Sequence, residues 1–224
     1  MSPTILDTLD ALPLVAILRG LVPDEAVDVG EALVGAGFTC LEVPLNSPQP
    51  LESIRRLRDR LADRAVVGAG TVLSTQSVKD VADAGGQLII SPNTNADVIR
   101  AAKAAGLLSM PGFFTPSEAF EALAAGADVL KLFPAEVSGP TGLKAMRAIL
   151  PGGLRIYAVG GARPDALSMW VQAGASGFGI GSSLFKPGQS ADETGVKAAA
   201  FVAAWKTAQG GGDSSRPPAE APAA

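Results

Sequence analysis

Eight short apolar runs, rich in β-branched residues, recur along this chain at intervals of about 20 to 27 residues. The stretches between them have helical periodicity, so strand and helix alternate throughout. Eight such units predict a single compact (β/α)8 TIM barrel, and a chain of 224 residues is long enough for one. The predicted strands are Leu14 to Leu18, Thr39 to Leu45, Ala65 to Gly70, Gln87 to Ile90, Leu107 to Met110, Asp128 to Phe133, Arg155 to Val159 and Gly177 to Ile180.

The ends of the predicted helices carry recognisable signals. Capping residues or a first-turn proline are expected to start helices at Pro23, Ser74, Thr115 and Arg163-Pro164. Five Ala-Gly pairs are expected to end helices, because glycine takes the left-handed conformation that follows a last turn. A doubly wound open sheet is the competing architecture, but it would more often have five or six strands and a GxGxxG fingerprint after the first. The five pairs begin at Ala36, Ala84, Ala105, Ala125 and Ala173.

Histidine is absent from the whole chain. Its absence removes Ser-His-Asp and Cys-His catalysis, HExxH zinc sites and imidazole-bound metals. Acid-base chemistry must therefore come from Glu, Asp, Lys, Tyr or water. The lone cysteine, Cys40, cannot form an internal disulfide or a cysteine cluster for zinc, and its apolar neighbours predict that it is buried.

Charge and hydropathy set the expected surroundings of the protein. The formal net charge of -4 and the lack of basic runs argue against a nucleic-acid partner. No apolar run approaches the roughly 20 residues of a membrane span. The first residues have no basic n-region, so a cytoplasmic protein is expected. Residues 210–224 are poor in bulky apolar side chains and are predicted to form a disordered tail after a barrel of residues 1–209.

Lys131 lies inside a short apolar run with the composition of a buried parallel strand. Burial lowers the pKa of an ammonium group, and a neutral amine is the nucleophile that Schiff-base chemistry needs. The alternative is a lysine at a strand end whose stem packs on apolar neighbours while its ammonium reaches water.

Polar residues follow several predicted strands at their carboxyl ends, where a barrel collects its chemistry. Glu42 in strand 2 and Lys131 in strand 6 face each other across an eight-stranded barrel, so they are expected to share one cavity as proton carrier and nucleophile. A buried ion pair that only fixes the core is the alternative. Arg19, after strand 1, has the fork of donors that clamps a carboxylate, with a solvated surface charge as its alternative. Thr71 offers a hydroxyl after strand 3.

Two glycine loops follow the last two predicted strands. Gly160-Gly161 ends strand 7, and Gly181-Ser182-Ser183 ends strand 8, where this fold often builds a phosphate site from backbone N-H groups and a helix N-terminus. Either serine can add a hydroxyl donor. Tight turns with no ligand are the alternative.

The chain resembles the 2-keto-3-deoxy-6-phosphosugar-acid aldolases, which are class I lyases built on the compact (β/α)8 barrel. Seven motifs carry the resemblance and occur in the family's order, from about residue 12 to residue 207. They are Ala16 to Gly20, Leu41 to Pro48, Gly68 to Leu73, Ser91 to Asn93, Lys131 to Pro134, Ala158 to Gly161, and Gly181-Ser182.

The resemblance implies a reaction and a role for each site residue. Lys131 would form an iminium with the C2 ketone of 2-dehydro-3-deoxy-6-phosphogalactonate, and Glu42 would move the protons as pyruvate and glyceraldehyde 3-phosphate form. It further implies a homotrimer and no metal or organic cofactor. Arg19 and Thr71 would hold the carboxylate end of the substrate, Gly160, Gly161, Gly181 and Ser182 the phosphate, and Phe133 and Val159 would shape the pocket.

Within the family the chain looks like the 6-phosphogalactonate branch. The 6-phosphogluconate branch has an arginine in place of Asn46 and a threonine in place of Val159. A methyl instead of a hydroxyl beside the C4 hydroxyl changes which epimer finds a hydrogen-bond partner. Two departures from the pattern are Ser91 and Glu136, and the extra acid is expected to tune the pKa of Lys131.

Two alternatives stay open. A 6-phosphogluconate or dual-specificity aldolase differs from the favoured interpretation only in the epimer it accepts. A sugar-phosphate isomerase or binding barrel differs in kind, because it would form no covalent adduct on Lys131.

Overall fold

Each apolar run of the sequence becomes a parallel strand buried along its whole length. The computed structural model describes residues 4–210. Strands buried on both faces lose the in-out alternation of a half-exposed sheet and become continuous apolar runs. The strands are β1 (Leu14–Ile17), β2 (Cys40–Pro44), β3 (Val66–Gly70), β4 (Leu88–Ile90), β5 (Leu108–Met110), β6 (Gly112–Phe113), β7 (Leu130–Leu132), β8 (Ile156–Val159) and β9 (Gly177–Ile180).

The barrel has eight strand positions although nine strand segments are seen. The ladder runs β5-β4-β3-β2-β1-β9-β8-β7-β6, and its two ends are joined through the single residue Pro111. Before this proline the chain pairs with β4, and after it the chain pairs with β7 through Gly112 and Lys131. Proline has no N-H to donate, so a ladder commonly breaks there. The predicted (β/α)8 fold is confirmed, and its fifth strand continues past Met110 to Phe113.

Helices separate the strands and pack around them. Ser74 caps α4, and Thr115 forms a reciprocal capping box with Glu118 at the start of α6, as predicted. Arg163-Pro164 starts a short 3-10 turn, and α8 follows it. The helices are α1 (Ile5–Ala11), α2 (Pro23–Gly35), α3 (Pro50–Leu61), α4 (Thr75–Asp83), α5 (Ala96–Ala104), α6 (Pro116–Ala124), α7 (Ala135–Arg147, kinked at Gly139), α8 (Leu167–Gln172) and α9 (Ala191–Gly210).

The Ala-Gly pairs end their helices as predicted. In all five, the alanine is the last capping residue and the glycine after it has a φ between 72° and 105°. This left-handed conformation turns the chain from each helix toward the next strand. The five glycines are Gly37, Gly85, Gly106, Gly126 and Gly174.

The amino end of the barrel is filled by apolar side chains and α1. Leu9 of α1 packs in one buried cluster with Cys40, Val66 and Tyr157, and two of these are the first residues of their strands. The Tyr157 hydroxyl donates a hydrogen bond of 3.4 Å to the Leu9 carbonyl. Burial raises the pKa of the Cys40 thiol, in agreement with its predicted place in the core. A site is therefore left to the opposite, carboxyl end of the strands.

The predicted tail, residues 210–224, lies outside the described residues except for Gly210, the last residue of α9. Between residues 4 and 210 no helix is long and apolar enough to cross a membrane.

Candidate active site

All ten predicted site residues lie within strands or directly after them. Glu42 and Lys131 lie within β2 and β7, and Val159 is the last residue of β8. The others lie in the segments that leave the carboxyl ends of β1, β3, β7, β8 and β9; they are Arg19, Thr71, Phe133, Gly160, Gly161, Gly181 and Ser182. Because the strands are parallel and neighbouring, these segments share one end of the barrel.

The Glu42 side chain is buried in the middle of β2, with only 2% of the residue exposed. One of its oxygens, Oε2, is buried and has no hydrogen-bond partner in residues 4–210. The carboxylate lies against Gly70 of β3, where a side-chain Cβ would overlap it. Glycine at position 70 therefore makes the space that this carboxylate occupies.

Burial raises the pKa of Glu42 from its ordinary value to about 7. The charges of Lys131 and Arg19 and the Gly70 N-H oppose that rise, because each stabilises the carboxylate. A carboxyl with a pKa near neutrality can both accept and return a proton at physiological pH.

Lys131 is buried in β7 and only 6% exposed. Its ammonium therefore does not reach water in the manner of a snorkelling strand-end lysine. The Nζ atom lies 4.9 Å from the centre of the Phe133 ring. Burial lowers the pKa of Lys131, the charge of Arg19 lowers it further, and Glu42 acts in the opposite direction. A buried amine with a lowered pKa has a larger neutral, nucleophilic fraction.

Glu42 and Lys131 influence each other's pKa without forming a direct ion pair in the described part of the chain. A lysine and a glutamate that only stabilised the core would need close contact to offset their desolvation. The observed arrangement instead leaves one buried carboxylate oxygen unpaired.

Arg19 leaves the end of β1 as an exposed residue, and its Nη1 donates a 2.8 Å hydrogen bond to Oδ1 of Asn46 in the loop after β2. Its charge also shifts the pKa values of Glu42 and Lys131, as described above. Arg19 is thus part of the electrostatic environment of the buried pair rather than an isolated surface charge.

Thr71 follows β3 with a φ of 57°. This left-handed conformation is uncommon for any residue but glycine and unfavourable for a β-branched one. Strained residues of this kind cluster at functional sites. The observation supports the predicted place of Thr71 in the site more strongly than its hydroxyl alone does.

The loop after β8 contains two glycines with positive φ, 114° at Gly160 and 69° at Gly161. The carboxylate of Glu136, from the first turn of α7, lies against Gly160, where a Cβ would overlap it. The sequence predicted that Glu136 would tune the pKa of Lys131. That expectation is wrong, because burial, Glu42 and Arg19 are the causes of the shift, and Glu136 faces the glycine loop instead.

The loop after β9 differs from the expected helix N-terminus. Gly181 accepts hydrogen bonds from the amides of Leu184 and Phe185 in one isolated turn, and α9 begins only at Ala191. Ser183 donates a 2.8 Å hydrogen bond to the Ala162 carbonyl. Ser183 therefore joins the two glycine loops, while the exposed Ser182 is the serine available to a ligand.

Two other residues near strand ends, Ser91 and Val159, contact neighbouring strands. Ser91 is buried and donates a 2.7 Å hydrogen bond to the Val72 carbonyl, which ties the ends of neighbouring strands together. Val159 is 5% exposed, and its methyl groups lie beside Gly179 of β9.

Three features of the site had no direct signal in the sequence. Gly70 looked like one glycine among several, Asn46 only like a branch marker, and Glu136 like a neighbour of Lys131. Their roles arise from contacts between residues of different βα units. The contact of Gly70 with Glu42 depends on the register of the neighbouring strands β2 and β3, in which Glu42 pairs with Gly68 and Pro44 with Gly70.

We expect Gly70→Ala to lower turnover about 10- to 100-fold, because the new methyl group would displace the Glu42 carboxylate from its position. Steady-state kinetics measures the loss, and circular dichroism checks that the barrel is retained. The matched control is Gly35→Ala in α2, where a Cβ meets nothing within 4 Å. Equal turnover in the two variants would contradict the proposed tight fit at Gly70.

Comparisons with known proteins agree with this geometry. A family model described as KDPG and KHG aldolase matches residues 5–198. The 2-dehydro-3-deoxy-6-phosphogalactonate aldolase of Escherichia coli (strain K12) is 48% identical over 88% of this chain and 96% of its own length. The probable enzyme of the same name from Rhizobium meliloti (strain 1021) is 50% identical over 89% of this chain and 94% of its own.

A solved structure described as native KDPGal is similar in both sequence and fold. It superposes with a TM-score of 0.88 at 47% identity, and the alignment covers 89% of this chain and 97% of that one. The closed barrel, the buried lysine and carboxylate and these matches lead to one conclusion: the chain belongs to the KDPG and KHG aldolase family.

Proposed function

We propose that this protein is a class I, Schiff-base aldolase that cleaves 2-dehydro-3-deoxy-6-phosphogalactonate to pyruvate and D-glyceraldehyde 3-phosphate. The observation that carries the proposal is the buried Lys131, whose pKa is lowered, in one barrel with the buried Glu42, whose pKa is raised to about 7. Membership of an aldolase family supports the reaction type, and the names of the two relatives at 48% and 50% identity support the substrate.

The first part of the mechanism makes an electron sink. The neutral Lys131 Nζ attacks the C2 ketone and gives a carbinolamine, which loses water to form an iminium. The C4 hydroxyl then gives up its proton, and the C3-C4 bonding electrons move into the iminium. The aldehyde leaves as glyceraldehyde 3-phosphate, and an enamine of pyruvate stays on Lys131.

Glu42 is proposed to carry the protons, either directly or through a water. As the carboxylate it accepts the proton of the C4 hydroxyl, and as the acid it protonates the enamine at C3. Water then hydrolyses the pyruvyl iminium and regenerates the amine. A pKa near 7 suits both directions of transfer.

The remaining site residues are proposed to bind the two anionic ends of the substrate. Arg19, with Thr71, faces the carboxylate end, and its positive charge is already present beside the buried pair. The phosphate binds at the two glycine loops, where Gly160, Gly161, Gly181 and Ser182 offer backbone and hydroxyl donors. Phe133 and Val159 form apolar walls, and the Phe133 ring already lies beside Lys131.

Two residues favour galactonate over gluconate as the substrate series. Val159 presents methyl groups at the end of β8, so it lacks the hydroxyl that the threonine of the gluconate branch offers beside the C4 hydroxyl of the substrate. Asn46 is engaged with Arg19 rather than carrying a second positive charge. Measured kcat/KM values for the two epimeric substrates decide between this proposal and a gluconate or dual-specificity enzyme.

Trapping with pyruvate and borohydride tests the covalent chemistry. We expect intact-protein mass spectrometry to show a reduced pyruvate adduct on the wild-type chain and none on Lys131→Met, because only that amine is buried beside Glu42. We expect Glu42→Gln to trap pyruvate but to lose about 100-fold or more in cleavage, since it cannot carry a proton.

The matched control for the lysine is Lys144→Met, on the exposed face of α7. This variant should trap pyruvate as the wild type does. A wild-type chain that is folded and forms no adduct would contradict the aldolase and favour the non-covalent sugar-phosphate barrel.

The pH profile tests Glu42 through the difference between variants. Because the pKa of Glu42 is raised to about 7, its carboxylate forms as the pH rises through that value, so kcat/KM should increase across this region. Loss of a proton from Lys131 acts in the same direction, so the comparison with Glu42→Gln identifies the part of the increase that belongs to Glu42. Glu42→Gln should lose this part, while Glu121→Gln on the exposed side of α6 should keep it. A wild-type limb centred below pH 5 would show that the Glu42 carboxyl titrates as if it were in water.

We further propose that the chain works as a homotrimer in the cytoplasm, as the family resemblance implies. Exposed apolar side chains such as Phe114 and Phe120, 38% and 45% exposed, supply surface that a neighbouring subunit can cover. Light scattering in solution should give three times the chain mass, and a value equal to the chain mass would overturn the trimer.

A further inference from the structure

Asn46 makes a specific contact with Arg19 across two loops. Arg19 Nη1 donates to Asn46 Oδ1 at 2.8 Å, and the two residues are 27 positions apart in the chain. A guanidinium has only donors, so the amide oxygen of Asn46 must be the atom that faces it. The contact links the segment after β1 to the segment after β2 at the end of the barrel that holds Glu42.

The same two segments are joined a second time through the next residues. The Gly20 N-H donates a 2.9 Å hydrogen bond to Ser47 Oγ, and Ser47 is buried. Gly20 has a φ of 81° and lies against Pro187, which a Cβ at position 20 would overlap. The backbone under Arg19 is thus fixed on two sides, and the Asn46 contact fixes its side chain.

The chemistry of the partner decides what this contact can do. Arg19 forms no salt bridge within residues 4–210. An aspartate at position 46 would orient the guanidinium equally well, but it would also neutralise the charge that a substrate carboxylate needs. Asparagine orients without neutralising, so the remaining N-H donors of Arg19 stay available to an anion.

We infer that Asn46 is a positioning residue, which acts through Arg19 by holding its guanidinium in place for the substrate carboxylate. This role rests on the proposed function and deepens it. It predicts that Asn46 contributes to binding of the carboxylate end rather than to the bond-breaking step.

The test compares Asn46→Ala and Asn46→Asp with the wild type in steady-state cleavage assays. We expect Asn46→Ala to raise KM about 3- to 10-fold with kcat nearly unchanged, because one charge-assisted but exposed hydrogen bond is lost. We expect Asn46→Asp to raise KM further, because it competes with the substrate for the charge of Arg19.

A double-mutant cycle separates positioning from simple loop structure. In an Arg19→Ala background, replacing Asn46 by Ala should have little further effect on KM, because the side chain it acts through is gone. Additive losses would overturn the inference. Gln76→Ala is the matched control, because it removes an exposed amide that hydrogen-bonds Asp80 on α4, and it should leave KM unchanged.

The acid limb of the pH profile gives a second readout that loop destabilisation would not move. Arg19 lowers the pKa values of both Glu42 and Lys131, so a guanidinium released from Asn46 should let the limb assigned to Glu42 move to higher pH in Asn46→Ala.

Failure of this inference differs from failure of the proposed function. If the wild-type chain traps pyruvate on Lys131 while Asn46→Ala and Asn46→Asp both keep the wild-type KM and pH profile, the positioning role is wrong and the aldolase stands. If the wild-type chain traps no pyruvate, the proposed function itself is contradicted.

Discussion

The structure depends on two ionisable side chains, Glu42 and Lys131, that are buried in the core of a parallel barrel. Removing a carboxylate and an ammonium from water costs several kcal/mol per ion, and the attraction between them offsets that cost only with good geometry. Here Glu42 and Lys131 form no ion pair in the described residues, and the cost instead appears as a raised pKa for one and a lowered pKa for the other. If the two groups served only stability, replacing them by apolar residues of similar size would stabilise the fold.

The neighbouring residues fit that pair. Gly70 leaves room for the Glu42 carboxylate, and Arg19 adds a positive charge that favours the ionised carboxyl and the neutral amine at once. Both effects prepare the protonation states that Schiff-base formation and proton abstraction require. The arginine is able to do this because Asn46 and Ser47 hold the segment that carries it. The opposite, amino end of the barrel is filled by buried side chains, among them Leu9, Cys40 and Tyr157.

The sequence predicted the fold class, and it placed each candidate site residue within a strand or after one, because strand positions depend on local patterns. Periodicity located the strands, Ala-Gly pairs ended the helices, and parallel strands brought their carboxyl ends together. Part of what it missed depends on pairs of distant residues. The hydrogen bond from Ser183 to Ala162 and the place of Glu136 against Gly160 are contacts between different βα units. The break at Pro111 and the isolated turn after Gly181 are details of the backbone within one segment. No local propensity encodes which side chain of one loop reaches the next.

Pro111, in the fifth barrel strand, divides the strands into two sets, and the site residues come from both sets. Paired strands β5 to β1 lie on one side of Pro111 along the chain, and β6 to β9 on the other. Arg19, Glu42, Asn46 and Thr71 all come from the first set, while Lys131, Phe133, Val159 and both glycine loops come from the second. The proposed nucleophile and its proton carrier thus belong to different half-barrels. Neither half contains both residues, so the site forms only where the two halves meet. A fragment of either half alone would lack the nucleophile or its proton carrier.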